Sequence, residues 1–195
     1  MGTTVGFKRL IVRILDGKQD VEEGKNLFVI EGKADKGATQ TAKISGLASE
    51  ATKSYGSNLA YYVSRKGVGD VKVDFTLLDM PDVVEHAILG YEEKNGLTLV
   101  GENTEAPYCA VMMESTTLGG EPVVFGLFKG TFTRDEKELE TTKEKQDELA
   151  GDSFSFTAIA ADKDEYKGYY YLKAVGSEKV TKAKEALDMA INASA

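Results

Sequence analysis

A chain of 195 residues that is 42% hydrophobic and carries a formal net charge of −8 has enough apolar surface for a substantial core, which excludes disorder throughout. The acidic balance excludes a nucleic-acid binder of the usual kind, because such proteins neutralise phosphates with lysine and arginine. DNA as passing cargo stays open.

Residues 7–15 are apolar with Lys8, Arg9 and Arg13 interspersed, a pattern that allows a strand or an arm lying on another subunit. Residues 27–31 and 39–44 read as short strands separated by a turn over 32–37. Within residues 54–84, Leu59, Tyr61 and Val63 take alternate positions. Further on, Val71, Val73, Phe75 and Leu77 alternate with Lys72, Asp74 and Thr76. Lys66-Gly67-Val68-Gly69 supplies flexible backbone between the two runs, so the expectation is a hairpin that pairs them. The second strand has one apolar and one polar face, and its polar residues Lys72, Asp74 and Thr76 are candidates for a wet inner surface. Met80-Pro81 ends that strand, since proline has no amide to donate. A helix over 82–89 follows, with Val83, Val84, Ala87 and Ile88 on one side and Gly90 as its stop.

From residue 79 to 105, Asp79, Asp82, Glu85, Glu92, Glu93, Glu102 and Glu105 face only Lys94, a local net charge of −6. Such a segment reads as a solvated outer surface, or as a channel wall that repels DNA. Residues 108–114 and 123–132 are apolar at nearly every position, which predicts strands buried on both faces against a helix, a sheet or a neighbouring subunit. Residues 134–147 carry charge of both signs and a single large apolar residue, Leu139. They read as an exposed helix or hairpin, or as an assembly arm for which Leu139, Glu140, Lys143, Lys145 and Leu149 are the candidate residues. Phe154, Phe156, Ala158 and Ala160 alternate with polar residues in a late strand, and Tyr169, Tyr170 and Tyr171 follow a turn at Lys167-Gly168. Val180, Ala183, Leu187, Ala190 and Ile191 lie at helical spacing and predict an amphipathic helix over 178–193.

No catalytic constellation emerges. His86 is the sole histidine and Cys109 the sole cysteine, so no internal disulfide is possible. A zinc site would need several more convergent ligands, and Cys109 in an apolar strand reads as a buried, inert thiol. The stretch from Asp162 begins like a calcium loop, but Lys167 and Lys173 stand where its turn glycine and bidentate glutamate belong. Neither a cofactor nor a metal is expected. Arg13 and Asp16 interrupt any signal-peptide core, and no apolar run reaches membrane-spanning length, so a soluble protein made in the cytoplasm is expected.

Three segments, YGSNLAYYVSRKGVGDVKVDFTLLDMP, GENTEAPYCAVMMES and GEPVVFGLFKGTF, closely resemble the major tail proteins of long-tailed phages of Gram-positive bacteria, the phi13-like family. The resemblance spans roughly residues 46–161. It implies a mainly β fold with short helices, a β-barrel or sandwich of the tail-tube type with a flanking helix. The domain is expected to cover 1–195, with an N-terminal arm over 1–37, a charged loop over 134–151 and the C-terminal helix. By the same resemblance the subunit stacks as rings, commonly hexameric, around a channel for the genome. Its implied partners are further copies of itself and the tape measure, tail terminator and distal tail proteins, without specific DNA binding and without a membrane. Two other readings remain: a monomeric β-sandwich binding module using Tyr169 to Tyr171 as an aromatic platform, and a tube subunit of a contractile injection or secretion device.

Overall fold

The computed structural model describes residues 3–18, 20–137 and 151–191. Among these residues twelve strands and two α-helices follow one another in this order: β1 Thr4–Ile14, β2 Leu27–Ile30, β3 Ala38–Ser45, β4 Thr52–Gly56, β5 Leu59–Ser64, β6 Lys72–Asp79, α1 Asp82–Leu89, β7 Glu92–Lys94, β8 Leu97–Leu99, β9 Cys109–Thr117, β10 Pro122–Thr133, β11 Asp152–Ile159, β12 Tyr171–Val175 and α2 Ser177–Ala186. Eight strands form one sheet in the order β2-β1-β9-β10-β11-β6-β3, with β12 also on β10. Every pairing in it is antiparallel.

The long strand β10 organises the sheet. Val123–Leu127 pairs with β12, and Lys129–Thr133 pairs with β11, while β9 runs along the opposite edge. A register shift between Leu127 and Gly130 marks the bend where one partner gives way to the other. The sheet curls until β1 reaches β3, where the Thr39 hydroxyl donates to the Phe7 carbonyl at 2.9 Å and Phe7 stacks on Phe75. No backbone ladder joins β2 to β3, so the sheet stays open and the architecture is sandwich-like rather than a barrel.

Two apolar cores result. The first lies inside the curl, where Leu10, Val12, Val73, Phe75, Leu77, Val111, Phe132, Phe154 and Phe156 meet α1. Phe132 anchors its centre, 6.0 Å from the Phe75 ring and edge-on to Phe156 at 4.9 Å. Helix α1 starts where the Pro81 carbonyl accepts from the Val84 and Glu85 amides, and ends at Gly90 with φ 70°. It buries Val84, Ile88 and Leu89, each contributing about 2 kcal/mol, whereas Val83, expected on the buried side, is exposed.

The second core lies across the sheet from the first, where Ile11, Ala110, Met112, Val124 and Phe128 pack under Ala183 and Ala186 of α2 and Leu187 just past its end. Gly126 lets α2 approach closely, since a Cβ there would sit 2.6 Å from Leu187 Cδ1. The double-sided burial expected for β9 and β10 is therefore met within the chain by a helix, without recourse to a neighbour. Helix α2 ends at Ala186, short of the expected 193, because Asp188 adopts a left-handed φ of 55° and turns the chain. Ile191 is exposed beyond it.

The expected hairpin between the strand at 59–63 and the strand at 71–77 does not form. Strand β5 pairs with β4, and β6 lies between β11 and β3. The reversal is made by Ser57 and Asn58, both left-handed with φ 50° and 63°, which gives the two-residue turn that suits the twist of a hairpin. Gly67 and Gly69 serve the return to β6 instead.

Candidate functional site

Strands β4 and β5 make a two-stranded ribbon outside the main sheet. A register shift at Tyr55 leaves Tyr61 as an extra residue in β5, and Tyr61 is 88% exposed, the highest value for a large apolar residue among those described. Tyr55, Leu59, Tyr62 and Val63 are also exposed, and none of these residues belongs to either core. The ribbon is fixed at its base, where the Gly69 amide donates to the Gly46 carbonyl at 2.9 Å. Gly46 has φ 75°, and a Cβ on it would fall 1.8 Å from the Asp70 carbonyl oxygen, so only glycine closes this neck.

A second ribbon, β7 with β8, turns at Asn95-Gly96, both left-handed, and exposes Leu97, Leu99 and Val100. Its neck has the same construction. Gly90, φ 70°, leaves no room for a Cβ beside the Glu105 carbonyl oxygen, which would be 2.0 Å away. This excursion carries most of the acidic run. Glu92 pairs with Lys94 at 2.6 Å and Glu85 with Arg134 at 2.6 Å, while Asp79, Asp82, Glu93, Glu102 and Glu105 are exposed and have no ion-pair partner among the described residues.

Lys72 and Asp74 are exposed and Thr76 half-buried on the face of β6 turned away from the first core. The register extends them into polar rows across the sheet: Ser45, Lys72, Thr157 and Thr131; Lys43, Asp74, Ser155 and Thr133; Thr41, Thr76 and Ser153. The Ser155 hydroxyl donates to Asp74 Oδ1 at 2.9 Å. The candidate arm residues Leu139, Glu140, Lys143, Lys145 and Leu149 lie outside the described residues.

Groups with chemical potential are held in structural roles. Burial pushes the Cys109 thiol up to about 12, and its Sγ contacts the Pro107 carbonyl. His86 sits at the helix edge, 2.9 Å from the Thr98 hydroxyl. Asp162, at the start of the rejected calcium loop, pairs with Lys129 at 2.5 Å. Among the described residues no group of three or more His, Cys, Asp and Glu is placed to hold a metal ion. Tyr169 is exposed, but Tyr170 packs on the first core and Tyr171 stacks on Phe125, so the three tyrosines form no platform. No described helix is long and apolar enough to cross a membrane.

The signal that sequence reasoning passed over is Asn95-Gly96, the strongest short-range marker of a hairpin. Ser57-Asn58 is a weaker form of the same marker.

An open β-sandwich-like body with two ribbons whose exposed apolar residues lie outside both cores places the chain in the class of mainly β proteins with free apolar surface. Residues 3–184 match the phage tail tube proteins, and the chain belongs to that family. It is a structural major tail subunit, a component of the virion tail, from a family that assembles as a homo-oligomer into a tube. A search of curated proteins gave no match.

Proposed function

We propose that the subunit forms stacked rings whose channel conducts the genome, and that the polar rows on β3, β6, β11 and β10 line that channel, with Lys72, Asp74 and Thr76 at their centre. The observation that carries this reading is the composition of those rows. Three successive cross-strand rows contain hydroxyls, two lysines and one aspartate, with no apolar side chain. A conduit must be wetted without gripping its cargo. Hydroxyls keep the wall hydrated, the absence of aromatics removes stacking platforms for bases, and the mixed charge limits phosphate binding. Helix α2, on the other half of the curled sheet, then faces outward.

Within the tail tube family, the three segments quoted above favour the phi13-like group, and the domain is read as spanning the chain with a charged loop over 134–151. The tape measure, tail terminator and distal tail proteins are the proposed neighbours, and the mechanism is assembly rather than turnover.

Cysteine accessibility in assembled tubes tests the lining. Asp74→Cys and Thr76→Cys should react with a small maleimide in tubes but be shielded from a maleimide carried on a particle wider than the channel. Lys179→Cys on α2 should react with both, and Cys109 with neither. Equal labelling of Asp74→Cys by the large reagent in tubes and in free subunits would remove these rows from the channel.

A further inference from the structure

The tail-tube reading leaves open how one copy holds the next, and the two free ribbons differ in charge. Between the neck glycines Gly46 and Gly69 the chain carries Lys53, Arg65 and Lys66 against a single acid, Glu50. All three cations are exposed, and none is within ion-pair distance of a carboxylate among the described residues. The end of β6, α1 and the β7–β8 excursion together expose Asp79, Asp82, Glu93, Glu102 and Glu105 without partners among the described residues, along with Val83, Leu97, Leu99 and Val100. Each surface thus joins apolar side chains to a net charge, positive on the ribbon and negative on the other, where Lys94 is taken up by Glu92.

We infer that the β4–β5 ribbon of one subunit docks on the acidic α1/β7–β8 surface of a second copy. The inference rests on the tail-tube reading above. A symmetric contact of ribbon with ribbon would bring three cations against three, and the acidic surface against itself would set carboxylates face to face. Like charges so placed are repulsive, which leaves the unlike pairing. The two surfaces also spring from different necks, Gly46 with Gly69 for the ribbon and Gly90 with Glu105 for the β7–β8 excursion, with β6 and α1 between them in the chain. A contact between two different surfaces is heterologous, and such contacts propagate into rings or filaments instead of closing as a pair. Tyr61 and its neighbours supply the apolar centre of the contact, and the charges set its direction and partner.

Charge reversal in the full-length chain tests the pairing. Lys53→Glu/Arg65→Glu/Lys66→Glu should raise the concentration needed for tube formation at least tenfold at low salt, and so should Glu93→Lys/Glu102→Lys/Glu105→Lys. An equimolar mixture of the two variants should assemble again, since each ribbon then meets a surface of opposite sign, and carrying both reversals in one chain should do the same. Carbodiimide cross-linking of wild-type tubes gives a measurement that does not depend on any variant folding. It should join Lys53 or Lys66 to Glu93, Glu102 or Glu105 of another subunit, identified by mass spectrometry on mixed isotope-labelled subunits. If wild-type tubes form but both reversals assemble normally, or the cross-links join other residues, this contact is wrong while the tube reading stands. Wild-type protein that never forms rings or tubes overturns both.

Discussion

Asp16 is held by its surroundings in the charged form. Its partial burial opposes ionisation, but the Lys18 amide at 3.1 Å, the Asn26 side-chain amide at 3.3 Å and the charges of Arg13 and Lys18 outweigh it. They bring the carboxyl below its ordinary value of 3.8. Arg13 is itself 2% exposed and donates to the Asn26 and Lys18 carbonyls, so the cluster ties the end of β1 to the loop before β2. A lowered carboxylate contributes stability that is complete above its unfolded pKa and is lost as pH falls through its folded pKa. Asp16→Asn should therefore cost about 1 kcal/mol in urea unfolding at neutral pH, with the difference from wild type shrinking as the pH drops below 3.8. An undiminished difference in acid would mean that Asp16 acts by packing or geometry and not by charge. Cys109 offers an independent check of the first core: with its thiol pushed up to about 12 by burial, it should be inert to a chromogenic disulfide at mild alkaline pH and react fully in denaturant. Prompt reaction in the native protein would show that the core opens at β9.

Among the elements, α1 is tied to the start of β11 through Arg134. The Arg134 side chain is 4% exposed, lies 2.6 Å from Glu85 on α1 and 2.7 Å from Asp152 at the start of β11, and covers the Phe154 ring at 5.0 Å. Arg134→Ala would leave the largely buried Glu85 without its cation and Asp152 with only Lys137 at 3.9 Å, so a loss of about 3 kcal/mol is expected from denaturant midpoints. Glu85→Gln with Asp152→Asn in the same background should recover much of it. No recovery would assign the loss to packing on Phe154. The sequence made α1 readable because Pro81 and Gly90 bracket it with local chemistry. It made β6 and β11 readable because one face of each is wet and the other dry. Strands β9 and β10 stood out for the opposite reason, being dry on both faces. Pairing was less legible. Strand β5 needed a partner that its own alternation does not name, and the glycines at 67 and 69 drew the turn to the wrong place. The polar character of Lys72, Asp74 and Thr76 was visible within one strand. Its extension into rows required the registers of β3, β10 and β11, which no single segment encodes.

At the scale of the whole molecule, stability and association are carried by different parts of the chain. No described side chain of β4 or β5 belongs to either core, and the ribbon's neck brings Gly46 and Gly69 within one hydrogen bond of each other. Replacing residues 47–68 with a short glycine-serine loop therefore removes exposed tyrosines and cations without opening a cavity, and the loop-closure cost falls slightly because the excursion is shorter. The shortened chain should unfold with nearly the wild-type midpoint and the same cooperativity, stay monomeric at concentrations where the wild type forms tubes, and resist aggregation better because its exposed apolar ribbon is gone. Gly46→Ala tests the same division from the neck. A side chain there collides with the Asp70 carbonyl in a left-handed backbone, so it should cost about 1–3 kcal/mol and displace the ribbon, weakening assembly more than the stability loss alone accounts for. Analytical ultracentrifugation and negative-stain imaging of the two variants beside wild type separate the possibilities. If the shortened chain still elongates, the ribbon is dispensable and other surfaces hold the rings together. If it fails to fold, the ribbon belongs to the folding unit despite lying outside both cores.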